Sequence, residues 1–149
     1  MNAAHNTKDP NIVAFDAQNR VQIPARAKPF IGALPVEFPI NTWLTLDERL
    51  RILIFFGPIS AIIDYAREQA AERQNVRISE LTAFYLNRRE CVTADERGRV
   101  QISPSLRMAA NLHEVNSARL GHLGSCLFLE RADRNAEWYA GLQQQLVAK

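Results

Sequence analysis

The sequence predicts an α+β fold: two β-rich repeats related by pseudo-two-fold symmetry, with helices between them and at the C-terminal end. Three observations predict it. The phrase DAQNRVQIPAR begins at Asp16 and returns as DERGRVQISPSLR at Asp95; from position 16 to position 95 the offset is 79 residues, about half of the 149. Such self-similarity is the mark of a repeated structural unit. Each copy is bracketed by short β-type runs that end in turn residues. Between the copies the apolar spacing becomes helical, with Ile59, Ile62, Ile63 and Ala66, then Ile78, Leu81 and Tyr85.

The elements follow in order. Residues 1–10 are polar and are expected to form a flexible N-terminal segment. The first repeat, 11–57, opens with the strand NIVAF, turns at DAQN and continues as the strand RVQI. Asn19 and, in the second copy, Gly98 close the turns; both residue types tolerate a left-handed backbone, so the exchange preserves the turn. A short helical piece, PARAKPFIG, ends at Gly32, and a second hairpin follows as TWLTL, a turn at DER, and LRILIFF.

A helical connector is expected over 58–89, with a break or new cap marked by Asn75 and Ser79. The second repeat, 90–131, runs as ECVTA, DERG, RVQI, then a helix in SPSLRMAANL with Ser103 as N-cap and Pro104 first. Leu106, Ala109, Ala110 and Leu112 make its expected buried side. SARLG, a Gly-bearing turn and SCLFLE complete it. A final helix is expected over 132–149, with Asp133 as N-cap and Trp138, Leu142 and Leu146 as a packing stripe. One half holds roughly 45 residues, near the size at which a single core becomes marginal, so two copies packing together solve a stability problem.

Composition narrows the class. The chain is 47% hydrophobic and 23% charged, which places it among globular proteins rather than disordered ones. A net charge of +2 permits a nucleic-acid partner without arguing for one. Cys91 and Cys126 form no disulfide framework and suit reduced thiols in a cytoplasmic protein. The N-terminal residues lack the apolar core of a signal peptide. The longest apolar run, ILIFFGPISAII, is too short to span a bilayer and contains Gly57 and Pro58, so no membrane partner is expected.

The chemistry concentrates in the repeated Asp and Arg. Asp at the head of a turn accepts backbone N–H groups two residues on. The Arg four residues later lies across the hairpin, where its planar fork suits a carboxylate. Two readings stay open at this point: a turn-stabilising ion pair, worth little if exposed, or an Asp that aims its Arg at DNA, where Arg suits both phosphate and the guanine edge. Arg26 and Lys28 after the first phrase, Arg97 and Arg107 around the second, and Arg88 and Arg89 before it enrich the region in positive charge.

The two phrases resemble the paired Asp-x-x-x-Arg signatures of the MraZ transcriptional regulators. The second, continuing as RVQISPSLRMAANL and GSCLFLE, is the closer match, and the resemblance extends from about Asn11 to Trp138. It implies a swapped-hairpin, AbrB-like β-barrel built from two repeats in one chain. It also implies a homo-oligomeric ring, nucleoid-associated in the cytoplasm, that binds double-stranded DNA at tandem repeats upstream of a division and cell-wall gene cluster. Carried over by position, the DNA-contacting tips are Asp16 with Arg20 and Asp95 with Arg99. Arg26, Lys28, Arg97 and Arg107 join them from charge and proximity. The first tip has Gln18-Asn19 where the family commonly has a basic residue and Gly.

Catalysis is not expected. His5, His113 and His122 are scattered, no nucleophile, phosphate-loop or zinc-helix motif occurs, and the carboxylates fall in turns. No catalytic residue, metal, cofactor or small-molecule substrate is therefore assigned. The alternative to a DNA-binding regulator is a protein-interaction or antitoxin-like module on the same fold, without specific DNA binding.

Overall fold

Hydrogen-bonded strand pairs join the two halves of the chain in two antiparallel sheets, one of six strands and one of two. The structure is a computed structural model and describes residues 11–25, 27, 37–124 and 126–133. Its strands are β1 (Ile12–Ala14), β2 (Arg20–Gln22), β3 (Ile40–Leu46), β4 (Ile52–Phe56), β5 (Glu90–Ala94), β6 (Arg99–Gln101), β7 (Ser117–Leu123) and β8 (Cys126–Glu130). The helices are α1 (Ser60–Ala71), α2 (Ile78–Leu86) and α3 (Pro104–Ala109). Six strands form a sheet in the order β1-β7-β8-β4-β3-β5, and β2 pairs with β6. Every pairing among these strands is antiparallel.

The halves are interleaved. β1 pairs with β7 of the second half, with Val13 opposite Ala118. β5 pairs with β3 of the first half, with Val92 opposite Thr42. Tight turns then return β1 to β2, through the Asp16 N–H to Arg20 carbonyl bond of 2.9 Å, and β5 to β6, through Asp95 N–H to Arg99 carbonyl at 3.0 Å. In the β2–β6 ribbon Arg20 faces Gln101, Val21 faces Val100 and Gln22 faces Arg99. The Val21–Val100 pair is the middle of the ribbon.

This exchange lets two small halves share one core. Val21, Val100, Ile23, Ile102, Leu44, Ile52, Ile54, Leu106, Leu112 and Leu129 pack in one cluster drawn from both halves. Strand alternation in β4 turns Leu53 and Phe55 to the other face, where α1 and α2 cover them with Ile62, Tyr65, Ala66, Leu81 and Tyr85. Full burial of a Leu or Ile side chain contributes roughly 1.5–3 kcal/mol, so the shared core is the main holding force.

A second tie holds the helices to the sheet. Glu48, on the β3–β4 turn, accepts a hydrogen bond from the Tyr85 hydroxyl at 2.8 Å and pairs with Arg73 beyond α1. The buried Thr45 hydroxyl donates to the Tyr85 carbonyl at 2.5 Å. Burial pushes the Glu48 carboxyl pKa up, but hydrogen bonds from Arg73, from its own backbone and from Tyr85 outweigh it, and the net shift is downward.

Ile78, Leu81 and Tyr85 lie on one helix as their spacing predicts, with Leu81 and Tyr85 buried and Ile78 50% exposed at its start. Two local expectations are corrected. The break before α2 does contain Asn75, at φ 63°, but the N-cap is Arg77 rather than Ser79. In α3 the Ser103 hydroxyl accepts from the Leu106 N–H as expected, yet Ala109 is exposed while Leu106, Ala110 and Leu112 are buried. The reason is that the chain leaves the helix at Ala110 and turns at Asn111, φ 59°, which resets the face. The first-half helical piece, apart from its first residues, and the stripe of Trp138, Leu142 and Leu146 lie outside the described residues.

Candidate nucleic-acid interface

Both copies of the phrase build the same turn. Asp16 Oδ1 accepts the backbone N–H groups of Gln18 at 2.8 Å and Arg20 at 2.9 Å, and Oδ2 accepts Arg20 Nε at 2.8 Å. Asp95 repeats this with Arg97 N–H at 3.0 Å, Arg99 N–H at 2.9 Å and Arg99 Nε at 2.6 Å. Asn19 at φ 62° and Gly98 at φ 75° occupy the left-handed position of each turn. The pKa of Asp16 is lowered chiefly by the hydrogen bond from the Arg20 backbone N–H, which with the Arg20 side chain and the Gln18 N–H prevails over partial desolvation. Asp95 is lowered in the same way by Arg99 and Arg97. Both clamps are thus ionised at neutral pH.

The three residues after each Arg explain the rest of the repetition. Val21 and Val100 are fully buried, so their strand neighbours Arg20, Gln22, Arg99 and Gln101 project from the outer face of the ribbon. Each Gln then braces the opposite tip: Gln22 Nε2 donates to the Arg97 carbonyl, and Gln101 Nε2 to the Gln18 carbonyl. Each Ile does so through its backbone: Ile23 N–H donates to the Gly98 carbonyl and Ile102 N–H to the Asn19 carbonyl, both at 2.9 Å. One copy's Val-Gln-Ile therefore fixes the other copy's turn. The tips also meet directly, with Arg20 Nη1 4.0 Å from Asp95 Oδ2.

The expected site residues divide. Asp16, Arg20, Asp95 and Arg99 gather on the ribbon, with Arg97 exposed beside them. Arg107 faces inward: Nη1 donates to Asn19 Oδ1 at 2.5 Å, Nη2 to the Leu112 and Val115 carbonyls at 2.9 and 2.6 Å, and Nε to Leu112 at 3.2 Å. Its guanidinium stacks 3.9 Å from the Phe15 ring centroid. It braces the first tip rather than facing solvent. Arg26 and Lys28 lie outside the described residues. Arg88 and Arg89 line a cavity of about 470 Å³ with Leu46, Glu90 and Leu106, at the end of β5 away from the tip. Gln22 and Gln101 were not among the expected site residues, although their repetition in both copies was the available signal.

A third turn of the same kind was also hidden in the sequence. DERLR, 47–51, differs from DERGR at one residue. Asp47 accepts the N–H groups of Arg49 and Arg51, both at 2.9 Å, and Arg51 Nε at 2.7 Å, with Leu50 left-handed at φ 60°. This turn is not a candidate interface. Asp47 is 2% exposed, Arg51 stacks on Phe128 at 5.0 Å, and neighbouring Glu48 binds the helical connector. Asp-x-x-x-Arg is therefore a turn-building unit, and among the described residues only the β2–β6 pairing presents two of them side by side on an exposed ribbon.

Charge on that ribbon is balanced: Arg20, Arg97 and Arg99 stand against Asp16, Asp95 and Glu96. Among the described residues no group of three metal-ligating side chains converges, and no helix is long and apolar enough to cross a membrane. No protein-family model matches the chain, and no curated protein matches it.

Proposed function

We propose that this chain is a sequence-specific DNA-binding transcriptional regulator of the MraZ type, with the swapped-hairpin AbrB-like barrel. The carrying observation is the exposed β2–β6 ribbon with its two clamped arginines. A two-stranded ribbon fits the major groove, and Arg is the commonest reader of guanine there. The Asp clamp engages Nε of each Arg and holds the side chain on the ribbon. Pre-ordering of this kind lowers the entropy cost of binding. Arg20 and Arg99 lie two residues apart along the ribbon, roughly 7 Å at about 3.4 Å per residue, or about two base-pair steps.

The interleaving of the halves supports the barrel assignment, since each leading strand pairs with the opposite repeat. Charge balance supports an oligomer. One ribbon with matched charges binds weakly, and a homo-oligomeric ring spanning tandem promoter repeats gains through effective concentration. By the same resemblance, those repeats lie upstream of a division and cell-wall gene cluster, and the protein is nucleoid-associated.

The test is a fluorescence-anisotropy titration against DNA from upstream of the chain's own gene, with a scrambled duplex as control, at two salt concentrations. The expected result is preference for the native duplex, with affinity that falls steeply as salt rises because phosphate contacts release counterions. Equal weak binding to both duplexes, or none, would favour the protein-interaction module.

A further inference from the structure

The cavity at the end of β5 away from the tip belongs to neither Asp clamp. Its volume is about 470 Å³, within the range of roughly 300–1,000 Å³ for small-molecule sites. Three segments wall it. Asn87, Arg88 and Arg89 follow α2, Glu90 opens β5, and Ser105 lies in α3. Leu46, the last residue of β3, and Leu106 of α3 are buried and supply an apolar wall.

The two arginines are held in place but not neutralised. The Arg88 guanidinium stacks 4.9 Å from the Phe84 ring centroid, a contact that orders the side chain and leaves its N–H groups unspent. Arg89 Nη1 donates to the Leu86 carbonyl at 2.7 Å. A guanidinium carries five donors, so most of those on Arg89 remain open. Neither arginine has a carboxylate partner among the described residues. Glu90, which shares the wall, accepts the Ser103 hydroxyl at 3.0 Å. The hydroxyl of Ser105 and the side-chain amide of Asn87 make no hydrogen bond among the described residues.

The duplicated frame does not require these charges. At the 79-residue offset of the repeat, Asp9 and Pro10 stand where Arg88 and Arg89 stand. The arginine pair is therefore particular to the second copy. The helix dipole favours cations after the C-terminus of α2, but it does not account for a cavity with an apolar wall and a facing hydroxyl.

We propose that this cavity is a binding site for a small phosphate monoester with an apolar body. Arg88 and Arg89 hold the phosphate, Ser105 donates to it from the opposite wall, and Leu46 and Leu106 pack against the body. A single guanidinium fork satisfies the two oxygens of a carboxylate. Two guanidinium groups and a hydroxyl on separate walls suit the three terminal oxygens of a phosphate. A backbone phosphate of a duplex offers the same charge but nothing to place against the leucines. The site does not depend on the ribbon or on its reading of DNA.

The experiment titrates the isotope-labelled full chain with phenyl phosphate and follows backbone amides by NMR. The expected result is saturable shifts at Arg88, Arg89, Glu90, Ser105 and Leu106. Inorganic phosphate moves the same amides with about tenfold weaker affinity, and benzoate binds at least about threefold more weakly than phenyl phosphate. Arg88→Ala and Arg89→Ala each raise the Kd about tenfold or more, as loss of a charge-assisted hydrogen bond does. Ser105→Ala raises it about threefold. Arg67→Ala on α1 and Arg97→Ala on the ribbon remove the same charge elsewhere and leave the Kd unchanged. Urea midpoints separate unfolding from lost contact, and Ser105→Ala, which breaks no hydrogen bond among the described residues, tests the site if an arginine variant unfolds. Equal weakening by all four arginine and control variants reduces the binding to general charge attraction and overturns the site. Benzoate or inorganic phosphate binding as tightly as phenyl phosphate overturns the ligand class. No saturable shift at these amides, or a shift there with a DNA duplex alone, overturns the proposal while leaving DNA binding by the ribbon untouched.

Discussion

Gln101 donates its side-chain amide to the carbonyl of Gln18, 3.2 Å away and in the other copy of the repeat. Gln22 makes the equivalent bond to Arg97. These crossed braces make each tip depend on the opposite half of the chain. Gln22→Ala or Gln101→Ala should cost about 1 kcal/mol each, the usual net worth of one hydrogen bond. Amide exchange at Ile102 and Ile23, which donate to the same two turns, should accelerate with it. Unchanged exchange at both amides would show that the braces are incidental.

Gly98 is required by backbone conformation and by space. Its φ of +75° and the Phe38 ring 2.8 Å from an added Cβ act together. Gly98→Ala should therefore destabilise by about 1–3 kcal/mol, measured by urea unfolding. Asn19→Gly should be milder, because relief of the left-handed strain offsets the lost bond to Arg107. Comparable losses from the two changes would contradict this account.

The Glu48 tie carries a pH signature. Its carboxyl pKa is held below the ordinary 4.5 despite burial, because Arg73, its own backbone and Tyr85 bond the charged form. A depressed carboxylate contributes stability above its unfolded pKa and loses it as pH falls through the folded value. Glu48→Gln should thus be destabilised relative to the parent at pH 7 by about 1–3 kcal/mol, the range for a bond to a charged group. That gap should close on acidification below the folded value. A constant gap from pH 7 to pH 3 would remove Glu48 ionisation from the account.

The two cysteines should react very differently. Cys91 is exposed on β5, while burial pushes the Cys126 thiol up to about 12. Since the thiolate is the reactive form, a thiol-disulfide reagent at pH 8 should modify one cysteine rapidly in the native protein and both after unfolding. Rapid reaction of both thiols in the native state would mean that the β8 core opens readily.

Much of the secondary structure was legible because its signals are local. The left-handed residue in each tip, the Ser103 cap and the alternating strands all depend on neighbours within a few positions. One misreading was of a face rather than an element. Ala109 lies at a helix end, where the chain leaves the helical path and periodicity no longer fixes which side meets the core. Among the site residues, the spacing of Asp and Arg announced the turn. Arg107 resembled a free surface charge because the acceptors at Asn19, Leu112 and Val115 surround it only after folding.

The sequence by itself determined that three segments would form Asp-clamped turns, since every bond within such a turn joins residues no more than four apart. It also marked two of them as equivalent by repeating Val-Gln-Ile. Tertiary structure alone decided which turns face outward. Pairing β2 with β6 buries Val21 against Val100 and leaves Arg20 and Arg99 partly exposed, whereas Asp47 is buried, Arg51 stacks on Phe128 and Glu48 between them binds the helical connector. Those partners lie dozens of residues away, and a local pattern carries no information about which distant surface will cover it.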